Sequence, residues 1–185
     1  GDIVREYQEK YQHIVYKKIE NKGIAANTNA AAELASGEYL ALADHDDILA
    51  PHAMYTMGQA IRQLREAGEP DGFLYSDEAL FTKKIEKPLV AHFKPDYAPD
   101  YLLCCNYICH LAVFRRELFE QVGGERSECG GSQDHDLFLR LIEQVGGAAH
   151  VPQVLYYWRV HEGSTSGGTD AKPYVAKAAK KALAD

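Results

Sequence analysis

Positive charge is what this 185-residue chain has too little of: 20 Lys and Arg stand against 27 Asp and Glu, for a formal net charge of −7. A nucleic-acid surface needs clustered Lys and Arg to neutralise phosphates, so no nucleic-acid partner is expected. Long apolar runs are missing too. None of them approaches the roughly 20 residues with which a helix crosses a bilayer, and the first residues carry no signal-peptide pattern. Low-complexity tracts and internal repeats are absent. The four cysteines, Cys104, Cys105, Cys109 and Cys129, lack the paired spacing of a zinc site, and no His stands at a ligand-like interval. They read as buried free thiols in a reducing compartment. What remains is an ordinary globular composition, 46% hydrophobic and 25% charged, long enough for one domain to bury a core.

The most pointed stretch is Tyr39-Leu40-Ala41-Leu42-Ala43-Asp44-His45-Asp46-Asp47. Five apolar residues in a row suit a strand covered on both faces, as in the parallel sheets of α/β proteins. Asp44 and Asp46 are two apart, so on extended backbone their side chains point the same way. Two carboxylates so close repel one another unless a cation sits between them. Oxygen ligands suit a hard divalent ion such as Mg²⁺ or Mn²⁺, which keeps part of its shell for phosphates. The carboxyl ends of strands are also where open α/β sheets bind their ligands. A plain turn, with Asp47 capping the next helix, accounts for the same residues without any ligand.

Upstream, Val4, Tyr7 and Tyr11 recur at helical spacing, so residues 1–13 read as the end of a helix. Residues 14–19 alternate and are β-branched enough for a short strand, Asn21-Lys22-Gly23 is a turn, and residues 24–35 form an alanine-rich helix. Strand, helix and acidic strand make a βαβ unit, which implies parallel pairing. A doubly wound fold opens on a strand, whereas this chain opens on a partial helix. The expectation is a single truncated domain over residues 1–185, its first strand or two missing.

Downstream, Pro51 opens a helix with the apolar stripe Ala53, Met54, Met57, Ala60, Ile61 and Leu64, and Gly68 closes it. Residues 72–76 form the next strand, ending at Asp77-Glu78, and residues 82–101 read as irregular. Residues 106–114 suit a strand, followed by a helix over 116–122 that Gly123-Gly124 stops. The glycine-rich segment 123–132 has the composition of a lid.

Ser132 is placed to cap a helix over 133–144 with the buried stripe Leu137, Phe138, Leu141 and Ile142. Asp134 lies near the buried side of its first turn and Asp136 faces elsewhere. The helix dipole stabilises a carboxylate there as the anion, which suits a general base; a second capping carboxylate is the alternative. Residues 151–161 form a last strand on which Arg159 and His161 project together. With the loop Gly163-Ser164-Thr165-Ser166-Gly167-Gly168 they offer a cation, a metal ligand and free N–H groups to a diphosphate. Taken alone, His161 reads more readily as a surface histidine than as a ligand. Residues 171–184 read as an outer helix rich in Ala and Lys.

Taken in order, these residues resemble the middle of the family 2 glycosyltransferases with the GT-A fold. The matching series is Asn21-x-Gly23 with Asn29, Ser36-Gly37-Glu38-Tyr39 leading to Asp44-His45-Asp46-Asp47, and Tyr75-Ser76-Asp77-Glu78. It continues with Lys94-Pro95-Asp96-Tyr97-x-Pro99-Asp100, Asn106-Tyr107-x-x-His110 and Val122-Gly123-Gly124. It closes with Gly131-Ser132-Gln133-Asp134-His135-Asp136-Leu137 and Val154-Leu155-Tyr156-x-Trp158-Arg159-x-His161-x-Gly163-Ser164-Thr165.

The resemblance implies a Rossmann-like, mostly parallel sheet flanked by helices, and inverting transfer of a hexose-type sugar from a nucleotide-sugar donor. The acceptor would be a hydroxyl of a glycan or glycolipid in polysaccharide biosynthesis. It further implies Mn²⁺ or Mg²⁺ on the diphosphate, held by Asp46, Asp44 and His161, with Asp44 also near the ribose. Asp134 corresponds to the family's catalytic base, and Arg159, Asn29 and Ser164 to donor or diphosphate contacts. Asp77, Glu78, Gln133 and Trp158 are assigned to the acceptor side or the lid. Many members carry Glu before the base where this chain has Gln133. Family habit places such an enzyme in the cytoplasm, with peripheral association at the inner face of the membrane. Two alternatives share the fold. A sugar-nucleotide pyrophosphorylase needs a glycine-rich N-terminal loop with Arg and Lys, which is not seen here, and an inactive glycan-binding module would keep the shape alone.

Overall fold

The computed structural model describes residues 2–161. The elements in chain order are α1 (Asp2–Lys10), α2 (Ile24–Ala32), β1 (Tyr39–Ala41), β2 (Ile48–Leu49), α3 (Ala53–Ala67), β3 (Phe73–Phe81) and β4 (Val90–His92). There follow α4 (Pro99–Cys104), β5 (Ala112–Arg115), α5 (Arg116–Gln121), a 3₁₀ turn (Ser127–Cys129), α6 (Gln133–Val145) and β6 (Ala149–Arg159). The loop 163–168, its Ser164 and the expected helix over 171–184 lie outside the described residues.

The six strands form one mixed sheet in the order β1-β5-β3-β6-β2, with β4 on the outer part of β3. Strand alternation then sorts the core. Phe73, Tyr75 and Phe114 point to the side where α5 and α6 bring Phe119, Leu137, Phe138 and Leu141. Leu74 and Val113 point to the other side, onto Ala53 and Met57 of α3 and onto Leu155. The helix stripes read from the sequence face the core, except that Met54 of the expected α3 stripe is exposed. Gly68 ends α3 in the left-handed conformation, φ 70°, at the position where a helix stop was expected.

Neighbouring strands depart from the expected pattern. Only β3 and β6 pair in parallel; β1–β5, β3–β5, β3–β4 and β2–β6 are antiparallel. β1, β3 and β6 still share a direction, because the reversed β5 lies between β1 and β3. Apolar runs report burial on two faces, and they do not report the direction of a neighbour.

The strand expected over 14–19 is absent. Val15 and Ile19 are exposed, and propensity without a sheet partner leaves extended chain. The βαβ unit built on it therefore does not form. Residues 82–101 are less irregular than expected, since they hold β4 and the start of α4. Of the strand expected over 106–114, the ladder starts only at Ala112.

Candidate functional site

A cleft of about 680 Å³ opens beside the end of β1, bounded by α2, the 104–110 segment, the start of α6 and Trp158 of β6. Asp44 and Asp134, ninety residues apart in sequence, both line it. The fold thus brings an acidic strand end and an acidic helix start to one crevice.

The acidic loop is held from below by β6. The Tyr156 hydroxyl accepts from the Asp44 N–H at 2.9 Å and donates to Asp47 Oδ2 at 2.7 Å. Arg159 donates its backbone N–H to Asp47 Oδ1 and its Nε to the Asp46 carbonyl. Burial pushes the Asp47 carboxyl up, against those donors. Asp47 is thus a tie to β6, and the alternative in which it caps the next helix does not apply, since His52 stands at the α3 N-cap. Asp46 turns to His161, whose Nε2 is 2.8 Å from its Oδ2. Burial would raise the Asp46 carboxyl, but the His161 contact and the nearby His45 outweigh it and leave it lowered.

A different trio clusters at the cleft wall. Asp44, Asp47 and His110 offer ligand atoms all within 4.8 Å of one another. His110 Nε2 lies 3.8 Å from Asp44 Oδ2, and its ring stacks on Tyr156 and meets Trp158 edge-on. The His110 Nδ1 is buried without a hydrogen-bond partner among the described residues. Two carboxylates and an imidazole with an uncommitted nitrogen fit a divalent ion of the Mn²⁺ type. Asp46 and His161 stand beside that trio as a second oxygen–nitrogen pair, so the expected set Asp44, Asp46 and His161 does not form one cluster. Sequence reasoning did not single out His110 or Asp47 as candidate ligands; His110 appeared only within the Asn106-Tyr107-x-x-His110 match.

Across the cleft, Asp134 opens α6 and accepts from Asn106 Nδ2 at 2.9 Å. Asn106 is oriented by its other end, where Oδ1 accepts the Cys109 N–H at 3.2 Å. Gln133, also on the wall, accepts the Gly131 N–H at 2.8 Å. Asp136 does face elsewhere, as expected, but it is buried between Arg126 and Arg140. Burial opposes its ionisation, and the two guanidiniums overcome that and hold its carboxyl low.

The expected lid is anchored instead. Arg126 is paired to Asp136, Cys129 is buried, and Asn29 clamps Glu125 by both ends of its amide. Its Nδ2 donates to the Glu125 carbonyl and its Oδ1 accepts the Glu125 N–H, each at 2.8 Å. Asn29 is therefore committed to backbone rather than open to a donor. Gly124 makes the clamp feasible: its φ is 72°, and a Cβ there would sit 2.5 Å from Asn29 Oδ1. The clamp sets the Glu125 side chain on the cleft wall, where Thr28 is its hydrogen-bond partner. Burial, then the charge of Asp134, pushes the Glu125 carboxyl up to about 7.

Several expected site residues lie elsewhere. β3 runs on to Phe81, so Asp77 and Glu78 are mid-strand and buried rather than at a strand end. Asp77 accepts from the Lys94 N–H and lies 2.9 Å from His150 Nε2; Glu78 is paired with Lys94 and His92 and accepts the His110 N–H. These bonds commit both acids to the fold, and neither lines the cleft. Burial pulls the Lys94 ammonium down, against the charge of Glu78. Arg159 has its guanidinium over the Phe81 ring and on the Asp46 carbonyl, outside the cleft lining, while Trp158 is in it. All four cysteines are free, but Cys104 and Cys105 are exposed on the helix end beside the cleft, where burial had been expected. Among the described residues no helix is long and apolar enough to cross a membrane.

Comparison with known proteins agrees with this architecture. Residues 1–123 match the family described as Glycosyl transferase family 2. The chain is 38% identical over 188 residues to the uncharacterized protein y4gI of Sinorhizobium fredii, covering 99% of this chain and 20% of that protein. It is 30% identical over 184 residues to the O-antigen biosynthesis protein RfbC of Myxococcus xanthus, covering 99% of this chain and 14% of that one. It thus spans a fifth or less of these relatives' lengths. Among solved structures, the mannosyltransferase PcManGT of Pyrobaculum calidifontis, in complex with GDP-Man and Mn²⁺, superposes with a TM-score of 0.65. The identity there is 18%, over 100% of this chain and 51% of that one, so the likeness is one of fold. With well over half of its residues matched by the family and its mixed sheet shared with a solved glycosyltransferase, this chain belongs to glycosyl transferase family 2, on a GT-A fold.

Proposed function

We propose that the chain is the catalytic core of an inverting glycosyltransferase that moves a sugar from a nucleoside-diphosphate donor to an acceptor hydroxyl. One observation carries the reading: Asp44 and Asp134 line the same cleft. Asp134 takes the proton of the acceptor hydroxyl as its oxygen bonds to the anomeric carbon and the bond to the diphosphate breaks. General-base assistance of this kind contributes ~10²–10⁴-fold. Asn106 holds the Asp134 carboxylate in place through Oδ2, so the base enters the reaction with its orientation set. Asp44, Asp47 and His110, with Asp46 and His161 alongside, would hold Mn²⁺ or Mg²⁺. Such an ion supplies charge neutralisation on the departing diphosphate. Trp158 provides an apolar wall against which a sugar ring can lie.

The relative named for O-antigen biosynthesis supports an acceptor that is a glycan or glycolipid of a surface polysaccharide. The test is a panel of UDP- and GDP-sugars assayed for Mn²⁺-dependent hydrolysis and for transfer by the full-length protein. Asp134→Asn should abolish transfer and leave donor affinity within a few fold. Transfer at the original rate would move the base elsewhere, and turnover indifferent to chelator would remove the metal assignment.

A further inference from the structure

Five carboxylates are buried among the described residues: Asp71, Asp77, Glu78, Glu125 and Asp136. Four of them are matched by cations or several donors. Asp71 has Arg65, Arg115 and the Tyr39 hydroxyl, and Asp136 has its two arginines. Asp77 and Glu78 have the Lys94 and His contacts described above. Glu125 is the exception. It is 5% exposed, its Oε2 has no hydrogen-bond partner among the described residues, and it lines the cleft that holds Asp134.

An unsatisfied buried carboxyl oxygen is costly, and burying one without a cation costs more. Yet the fold takes care to keep this one. Asn29 fixes its backbone from both sides, and Gly124 leaves the room for Asn29 to do so. A group held that firmly, at a cost to the fold and on the wall of a cleft, is waiting for a partner that arrives with the substrate.

Building on the glycosyltransferase reading, we propose that Glu125 positions the substrate by hydrogen bonding, through its open Oε2, to a sugar hydroxyl bound beside Asp134. A carboxyl raised to about 7 carries its proton part of the time, so it donates as well as accepts, which matches a hydroxyl's own two-way capacity. The hydroxyl belongs to the donor sugar or to the acceptor, and the two sources separate experimentally.

The test compares Glu125→Met, of similar shape and apolar, with Glu125→Gln in the full-length protein. The probes are UDP and GDP, UDP-glucose, UDP-N-acetylglucosamine and GDP-mannose, each with Mn²⁺, and p-nitrophenyl glycosides as acceptors. Affinity for UDP or GDP should stay unchanged in both variants. If the donor sugar is the partner, Glu125→Met loses about tenfold in affinity for the nucleotide sugar. If the acceptor is, donor affinity and hydrolysis hold while KM for the glycoside rises about tenfold. Glu125→Gln, which keeps a donor and an acceptor, should stay within about threefold of wild type in either case.

The thermal midpoint separates this role from a structural one. Glu125→Met should melt about 2–4 °C higher, because it removes an unsatisfied group from the interior. A lower midpoint with every ligand weakened alike would mark Glu125 as a structural residue and overturn the assignment. So would unaltered affinity and KM in Glu125→Met. Loss of Mn²⁺-dependent nucleotide binding in the wild type would instead defeat the glycosyltransferase reading, and this inference with it.

Discussion

Replacing Glu125 by Gln should change how stability depends on pH, and the structure sets the size of the change. In the folded chain, burial first and the Asp134 charge second raise this carboxyl from 4.5 to about 7; Asp44 adds to the rise, while Arg140 and Thr28 oppose it. The native state therefore binds more protons than the unfolded chain between these two values, and stability falls as pH rises through that window. The contribution is fully present below pH about 4.5 and lost by pH about 8, a span worth about 3 kcal/mol. Gln does not titrate, so the variant lacks this slope and keeps the shape. Urea unfolding of both proteins at pH 5, 6, 7 and 8, with chelator present, gives the difference directly, since every other titrating group cancels. The variant should gain on the wild type by about 2.5 kcal/mol between pH 5 and pH 8. Introducing Asp134→Asn into both backgrounds should shrink that gain, because it removes the second cause of the rise. Parallel curves for the first pair would refute the argument, and with it the claim that burial of Glu125 outweighs the groups that favour its anion.

The cleft and the loop around it give further expectations. Asp44→Ala and Asp46→Ala should each weaken Mn²⁺-dependent binding of UDP or GDP about tenfold in calorimetry, with little effect when chelator is present. Gly124→Ala should cost about 2 kcal/mol, since it forces a left-handed alanine and drives a Cβ against Asn29; denaturant midpoints measure it. Asp136→Asn should cost about 3 kcal/mol, because it leaves Arg126 and Arg140 facing each other without their shared anion.

Local periodicity carried the helices. The stripes on α3 and α6 and the glycine after α3 required only spacing, and all but the exposed Met54 lie where the sequence placed them. Pairings between strands did not follow, because a run such as residues 39–43 reads the same beside a parallel or an antiparallel neighbour. Residues 14–19 show the same limit: alternation is a local property, and whether a partner strand is present is not. Asp44 and Asp134 were legible because each ends or begins an element, and strand ends and helix starts gather at one edge of an α/β sheet. Glu125, Asn106 and Thr28 were not, since their positions on the wall depend on contacts such as the Asn29 clamp, which spans 96 residues. Asp77 and Glu78 misled in the opposite sense. An acidic pair after an apolar run looks like a strand end, but here the strand continues and Lys94 with two histidines absorbs the charge.

The ties between the acidic loop and the last strand reach across more than a hundred residues. A ligand cluster shaped by Tyr156 and Arg159 has no local existence: it comes into being only when the far end of the described chain has docked. If that cluster holds the proposed divalent ion, ion affinity and global folding draw on one free energy, and added Mn²⁺ should raise the unfolding midpoint.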